Sequence, residues 1–537
     1  MAVKKASSTT KAAKAPTAAK SAQAVKAAKA GKAAKAGKAA RAGKGSKPRP
    51  TPVSEMRAWE DDPGPPDSGL TPVAAPIPAL GSGPLPVSIA GPVVAPAAYQ
   101  PGTAEFRYWA AAEALRRGAD LWSSASPALI WYPTVGLTLE STLDHGEDLN
   151  AYYDRRGLWF FHGRAGNGVV YSGESPDIVC HELGHAVLDG FRPHLFNANY
   201  IEVASFHESF GDMSAMLSAL QLKSVRDEVI AETSGHLYQS SRLSRLAEQL
   251  GWAIRLVAPD AVEGDCLRNA VNAFFYKKPE SLPPSGPAST LCSEPHSFSR
   301  VFTAAFLESL GGMFQAQSTQ DEKALLQVSR DAALLLVTAV KTSPVVPSYY
   351  SQVAAHMVEV DATQFGGKYG GALSSAFVKH GILSIDSAHA LAVANSSPAV
   401  PPAATSEAAG SGGEPPLHFV ALAGQRYGLD RELLVPAVAE TKRFGVAGAA
   451  PDVGSVDSPA HDRAAESFVE DLFRRGNVDV RPAGRAAAMT MRAGPARPSK
   501  LTHEVRVEND NLVLMRNFFD CGCRAATGSI DSGGGAM

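Results

Sequence analysis

Apolar residues in the middle of this chain recur every three or four positions, the period of a helix with one buried face. The pattern dominates from Pro176 to about Leu383 and is strongest over residues 299–310, 324–340 and 347–359. Ahead of it, residues 105–150 mix a short Ala-rich helical stretch (108–119) with strand-like runs such as 129–132. Residues 158–163, followed by Gly166-Asn167-Gly168-Val169-Val170-Tyr171, predict a hairpin around a Gly-rich turn. Strands first and helices afterwards predict an α+β unit with two lobes, a strand-rich N-lobe and a helical C-lobe, over residues 105–393. Residues 504–515 alternate about Asn509-Asp510-Asn511, a second hairpin, within a small C-terminal α/β region of 417–525 that carries no assignable chemistry.

Composition divides the rest. The first fifty residues hold 14 of the 51 basic residues and no acid, which leaves 37 basic against 53 acidic in the remainder, a net of −16. Residues 26–43 repeat a Lys-Ala-Ala-Lys/Arg-Ala-Gly unit, in which Gly and like-charge crowding oppose the helix that Ala and Lys favour. Residues 1–50 are therefore expected as a disordered tail able to meet a polyanion, or as a solvated arm. Residues 51–104, rich in Pro, Ala and Gly, are expected as a stiff linker without a core, 394–416 as a second linker, and 526–537 as a flexible tail. Five cysteines are too few for a disulfide scaffold in 537 residues, and Cys521-Gly522-Cys523 is a lone CxC. No continuous apolar segment resembles a secretory signal or a membrane span, so a cytoplasmic protein is expected, with non-standard export left open.

The chemistry concentrates in His181-Glu182-Leu183-Gly184-His185. On a helix, positions i and i+4 share a face, so both imidazoles can reach one ion. Glu182 lies beside that face and can act on a water held there. Ser175-Pro176-Asp177 is a helix start signal. A catalytic zinc takes three protein ligands and leaves a fourth position open. The third candidate is Glu208, 23 residues on, in Phe206-His207-Glu208-Ser209-Phe210-Gly211-Asp212. Asp212 falls on the same helical face, where a carboxylate can accept the far N–H of a ligand histidine.

His-Glu-x-x-His followed by Glu-x-x-x-Asp resembles the thermolysin-like zinc metallopeptidases, and the resemblance extends over roughly residues 140–385. It implies one zinc ion on His181, His185 and Glu208, with Asp212 behind a ligand histidine. Asn150-Ala151-Tyr152-Tyr153 resembles that family's edge strand, implying that Asn150 and Ala151 hold an extended protein or peptide substrate. Pro295-His296-Ser297-Phe298-Ser299 is similar to the segment whose histidine stabilises the oxyanion, implying that role for His296, with Glu294 near enough to orient it. A second oxyanion donor is expected at Tyr200 and a carbonyl clamp at Arg245. His207 stands where the family has Asn or Gly. Calcium is not expected, since Asp177, Asp227 and Glu232 match only part of the family's sites.

The expectation is therefore a zinc endopeptidase in which Glu182 takes a proton from the attacking water. Two rivals are a zinc-retaining module that captures peptides without turnover, and a nucleic-acid-docking protein acting through its basic tail.

Overall fold

The structure, a computed structural model, describes residues 55–396, 418–438, 440–444, 458–483 and 501–521. The basic tail with its six-residue repeat, most of the second linker, the last residues and Cys523 lie outside the described residues.

The architecture is α+β. β1 (Glu55–Ala58) and β2 (Val73–Pro76) form an antiparallel ribbon. β3 (Val87–Ile89) leads into α1 (Ala104–Ala125), which extends beyond both ends of the stretch expected and starts on a Thr103 side-chain cap. β4 (Leu139–Thr142), β5 (Ala151–Tyr153) and β6 (Gly157–Phe160) follow. Then come β7 (His162–Ala165) and β8 (Gly168–Tyr171), the hairpin predicted from the Gly-rich turn. The run 129–132 is not a strand. Pro127 and Pro133 bracket it, each lacking an N–H, and it is anchored instead by the Trp131 indole donating to the Pro86 carbonyl at 2.8 Å.

The helical part comprises α2 (Pro176–Phe191), α3 (His194–Asn197), α4 (Ile201–Ala219), α5 (Lys223–Thr233), β9 (Arg245–Leu246), α6 (Glu248–Arg255) and β10 (Arg268–Asn269). It continues through α7 (Pro295–Gln315), α8 (Glu322–Thr342), α9 (Tyr349–Gln364), α10 (Gly370–Lys379) and α11 (Ile385–Ser396). No helix among the described residues is long and apolar enough to cross a membrane.

The C-terminal region is α/β, as its pattern suggests: β11 (His418–Leu422), β12 (Leu433–Ala437), α12 (Ser458–Arg475), β13 (Val478–Asp479), β14 (His503–Glu508) and β15 (Asn511–Arg516). Its five strands run in the order β11-β12-β15-β14-β13. Asn509 and Asp510, both at positive φ (49° and 66°), turn the β14–β15 hairpin. The last described strand, β16 (Phe519–Asp520), leaves this sheet for the other one, whose order is β16-β5-β6-β4-β3.

The stretch expected as a spacer without a core is partly built in. Met56, Ala58 and Trp59 are buried against Phe106 and Trp109 of α1, and Leu85 and Val87 join the main core. A few well-placed apolar residues suffice among many prolines. Val435, Phe468 and Leu512 of the C-terminal region belong to the same continuous core as α2 and α4.

Candidate active site

α2 begins as its sequence dictates: the Ser175 hydroxyl accepts from the Ile178 N–H, and Pro176 occupies the first turn. α4 crosses it closely, and two glycines permit the approach. A Cβ on Gly184 would lie 2.8 Å from the Ser214 Cβ, and one on Gly211 would lie 2.6 Å from two atoms of the His181 ring. The weak helix former in the first motif and the glycine in the second are therefore both packing requirements.

The crossing brings the predicted ligands together. Glu208 Oε2 lies 3.4 Å from His181 Nε2 and 3.7 Å from His185 Nε2. Zinc bonds of about 2.05 Å in a tetrahedron put ligand atoms about 3.4 Å apart, so both separations suit a shared ion. His181, Glu182 and His185 also present ligand atoms within 4.8 Å of one another. All four residues are buried. His181 Nε2, His185 Nε2 and both Glu182 oxygens have no hydrogen-bond partner among the described residues, and Glu208 Oε2 makes no hydrogen bond there beyond its ion pairs with the surrounding imidazoles, His296 included. Buried polar atoms ordinarily have partners, and a cation is the partner these acceptors suit.

Each histidine is held from behind. His181 Nδ1 is 3.0 Å from Asp212 Oδ1, and Arg268 donates to the same carboxylate at 2.7 Å. Burial opposes the charge on Asp212, but Arg268 and His181 outweigh it and lower its pKa to about 2. His185 Nδ1 lies 2.9 Å from His207 Nδ1. Burial lowers the pKa of His185 to about 3 and that of His207 well below the usual range, so both rings are neutral. A metal-facing lone pair on His185 Nε2 places the proton on Nδ1, which then donates to His207. His207, which stands where the family has Asn or Gly, thus places an acceptor behind His185.

Glu182 is fully buried, and its carboxyl is pushed well above the usual range by burial and by the neighbouring Cys521 and Glu208. Burial opposes the charge of Glu208, but His296, His185 and His181 hold its carboxyl well below that range. His296 enters from the first turn of α7. Its Nδ1 is 2.6 Å from Glu294 Oε1, and its Nε2 is 3.1 Å from Glu208 Oε2. Burial would lower the His296 pKa, yet Glu208 and Glu294 raise it well above the ordinary value.

Two expected contributors sit elsewhere. Tyr200 precedes α4 and donates its hydroxyl to the Val438 carbonyl at 2.8 Å. Arg245 pairs with Glu248 at 2.5 Å. Arg268 was not visible in the sequence; besides Asp212 it reaches the Cys521 carbonyl at 2.8 Å.

Asn150 and Ala151 border the site, and β16 lies on them. Phe519 pairs with Tyr153 and Asp520 with Tyr152 in antiparallel register, and the Cys521 N–H donates to the Ala151 carbonyl at 3.0 Å. The Cys521 thiol contacts Asn150 Oδ1 at 3.3 Å. Phe519 stacks on His207 with ring centroids 3.9 Å apart. Asp177 is buried at the start of α2 and accepts from the Ala247 N–H, whereas Asp227 pairs with Lys223 and Glu232 accepts from the Arg242 N–H. The three acids that partly match calcium positions therefore serve separate contacts. Compared with known proteins, the chain matches no family description and no curated sequence.

Proposed function

We propose that this chain is a zinc-dependent endopeptidase of the thermolysin-like kind, with a strand-rich lobe and a helical lobe meeting at α2 and α4. The observation that carries it is the buried meeting of His181 Nε2 and His185 Nε2, neither hydrogen-bonded, with Glu208 Oε2, beside the Glu182 carboxyl, which has no hydrogen bond among the described residues. Those three residues would hold zinc, which when bound lowers the pKa of water toward about 7 and polarises a carbonyl.

The chain's own residues supply the rest. Glu182 takes the proton of the attacking water and returns it to the leaving nitrogen. His296, oriented by Glu294, donates from Nε2 to the oxygen of the carbonyl under attack, where one such donor is worth about 3 kcal/mol. The edge of β5 receives the substrate as an added antiparallel strand, with backbone hydrogen bonds at Ala151 and the Asn150 side chain beside it.

One observation favours a second reading, a zinc-binding module that captures peptides without turnover: the Tyr200 hydroxyl is committed to Val438, so the second oxyanion donor has no occupant there. A single variant separates the two. Glu182→Gln should keep about one zinc per chain and lose casein hydrolysis by a factor of roughly 10²–10⁴. Casein hydrolysis at the wild-type rate in that variant would remove Glu182 as the base, and zinc binding without turnover in the wild type would favour capture.

A further inference from the structure

The edge strand that should receive a substrate already carries an extended peptide, and it belongs to the same chain. After β15 the polypeptide leaves the C-terminal sheet and lays Phe519 and Asp520 antiparallel along β5. Three consecutive backbone groups are then gripped by the site. The Asp520 carbonyl oxygen is 2.8 Å from His296 Nε2, the Cys521 N–H donates to the Ala151 carbonyl at 3.0 Å, and the Cys521 carbonyl accepts from Arg268 at 2.8 Å. His296 Nε2 is also 3.1 Å from Glu208 Oε2, so one imidazole nitrogen touches both the candidate metal ligand and the Asp520 carbonyl. Side chains fix the register: Phe519 stacks on His207, Phe518 stacks on Tyr152 at 4.8 Å, and the Arg516 guanidinium lies 4.2 Å from the Phe519 ring centre.

Resting on the peptidase reading, we propose that the Asp520–Cys521 peptide bond is this site's intramolecular substrate and is cleaved in cis. The bond whose carbonyl meets the oxyanion donor and whose N–H meets the edge strand is the bond held for hydrolysis. Water adds its oxygen to the Asp520 carbonyl carbon, the C–N bond breaks, and the Cys521 nitrogen leaves with a proton as an amine. The products are a chain ending in an Asp520 carboxylate and a 17-residue fragment, Cys521 to Met537. Until cleavage, the segment covers the edge of β5 and keeps other peptides off it.

The test uses the full chain, purified metal-free and then supplied with zinc. Intact mass should fall by the fragment 521–537, with a half-time unchanged over a tenfold dilution, and Glu182→Gln should keep its full mass. In the metal-free protein, the Cys521 amide should exchange at least tenfold more slowly than in a synthetic peptide of residues 516–525. Cys521→Pro, which removes the N–H given to Ala151 and so releases the segment from the edge of β5, should keep its full mass and hydrolyse casein without delay. A zinc-loaded wild type that retains its full mass while Cys521→Pro cleaves casein overturns self-processing and leaves the peptidase reading standing. If neither protein cleaves anything, both fall. A Cys521 amide as fast as in the free peptide, or a half-time that lengthens in proportion to dilution, also overturns cleavage in cis.

Discussion

His207 offers the sharpest test of how the site is assembled, because its only polar role among the described residues is to support another ring. Its Nδ1 lies 2.9 Å from His185 Nδ1, and both imidazoles are buried and neutral. In His207→Leu, His185 has two options. It can keep its proton on Nδ1 with no acceptor, a buried unsatisfied donor that costs about 1–3 kcal/mol. Alternatively, it can shift the proton to Nε2 and lose the lone pair that faces Glu208 and the metal position. Either route weakens zinc binding, and losses at such outer positions typically span 10–100-fold, or about 1.4–2.7 kcal/mol. The two ranges overlap, so the zinc Kd of His207→Leu should rise by about 10–100-fold in a competition titration against a chromogenic chelator at pH 7.5. His207→Gln, whose amide oxygen can take the His185 proton, should recover most of the loss, which separates the hydrogen bond from the stacking of Phe519 on this ring. A His207→Leu affinity within about twofold of wild type, or a Gln variant as weak as Leu, would refute the assignment of the His185 proton.

Two further outcomes follow from the packing around α4. Gly211→Ala should reduce zinc affinity at least tenfold, because its Cβ would press within 2.6 Å of a His181 ring tethered to Asp212. Gly371→Ala, in open space on α10, is the control and should leave affinity unchanged; equal affinities in the two variants would sink the packing argument. Glu202 is buried between the Tyr276 hydroxyl (2.6 Å) and the Tyr350 N–H (2.9 Å), and burial raises its pKa from 4.5 to about 8 despite both bonds. A folded-state pKa above the unfolded value means that stability is fully present below about pH 4.5 and is lost as pH rises towards 8, by up to roughly 5 kcal/mol. Glu202→Gln should therefore have the flatter profile of melting temperature against pH and the higher melting temperature at pH 8, and parallel profiles would contradict the assignment.

What the sequence could and could not reveal follows from how far apart the interacting residues lie. Helical periodicity alone places His181 with His185 and Glu208 with Asp212, because the 3.6-residue turn needs no tertiary information. Ser175-Pro176 and Asn509-Asp510 are legible for the same reason, since caps and tight turns are local chemistry. That His207 supports His185 was not legible, although the residue itself was conspicuous, because its role depends on the rotation of α4 against α2. Arg268 sits in a two-residue strand 56 positions beyond Asp212, with no pattern to mark it. Tyr200 looked suitable because it falls between the two ligand helices. Its hydroxyl instead follows a carbonyl just past β12, more than two hundred residues later, whose position no local signal fixes. The pairing of β16 with β5 is the extreme case: two residues far along the chain add a fifth strand to a sheet of four by pairing with a strand of three residues, and neither run carries a strand signal of useful length.

Arg268 joins the two halves of the site. Its guanidinium gives Nε and Nη2 to the Asp212 carboxylate that orients His181, and Nη1 to the carbonyl of Cys521. The planar fork fixes these directions relative to one another, which a lysine ammonium does not do. The same buried cation therefore sets the tilt of a candidate metal ligand and the position of the peptide carbonyl one residue beyond the Asp520–Cys521 bond. A shift of the strand along β5 would pull Nη1 from its acceptor or rotate the fork away from Asp212, leaving a buried donor or a buried carboxylate partly unpaired. Each costs on the order of 1–3 kcal/mol. The register of the bound peptide and the geometry of His181 are thereby coupled through one side chain, and this coupling is what makes a single peptide bond, rather than the segment at large, the one presented to the site.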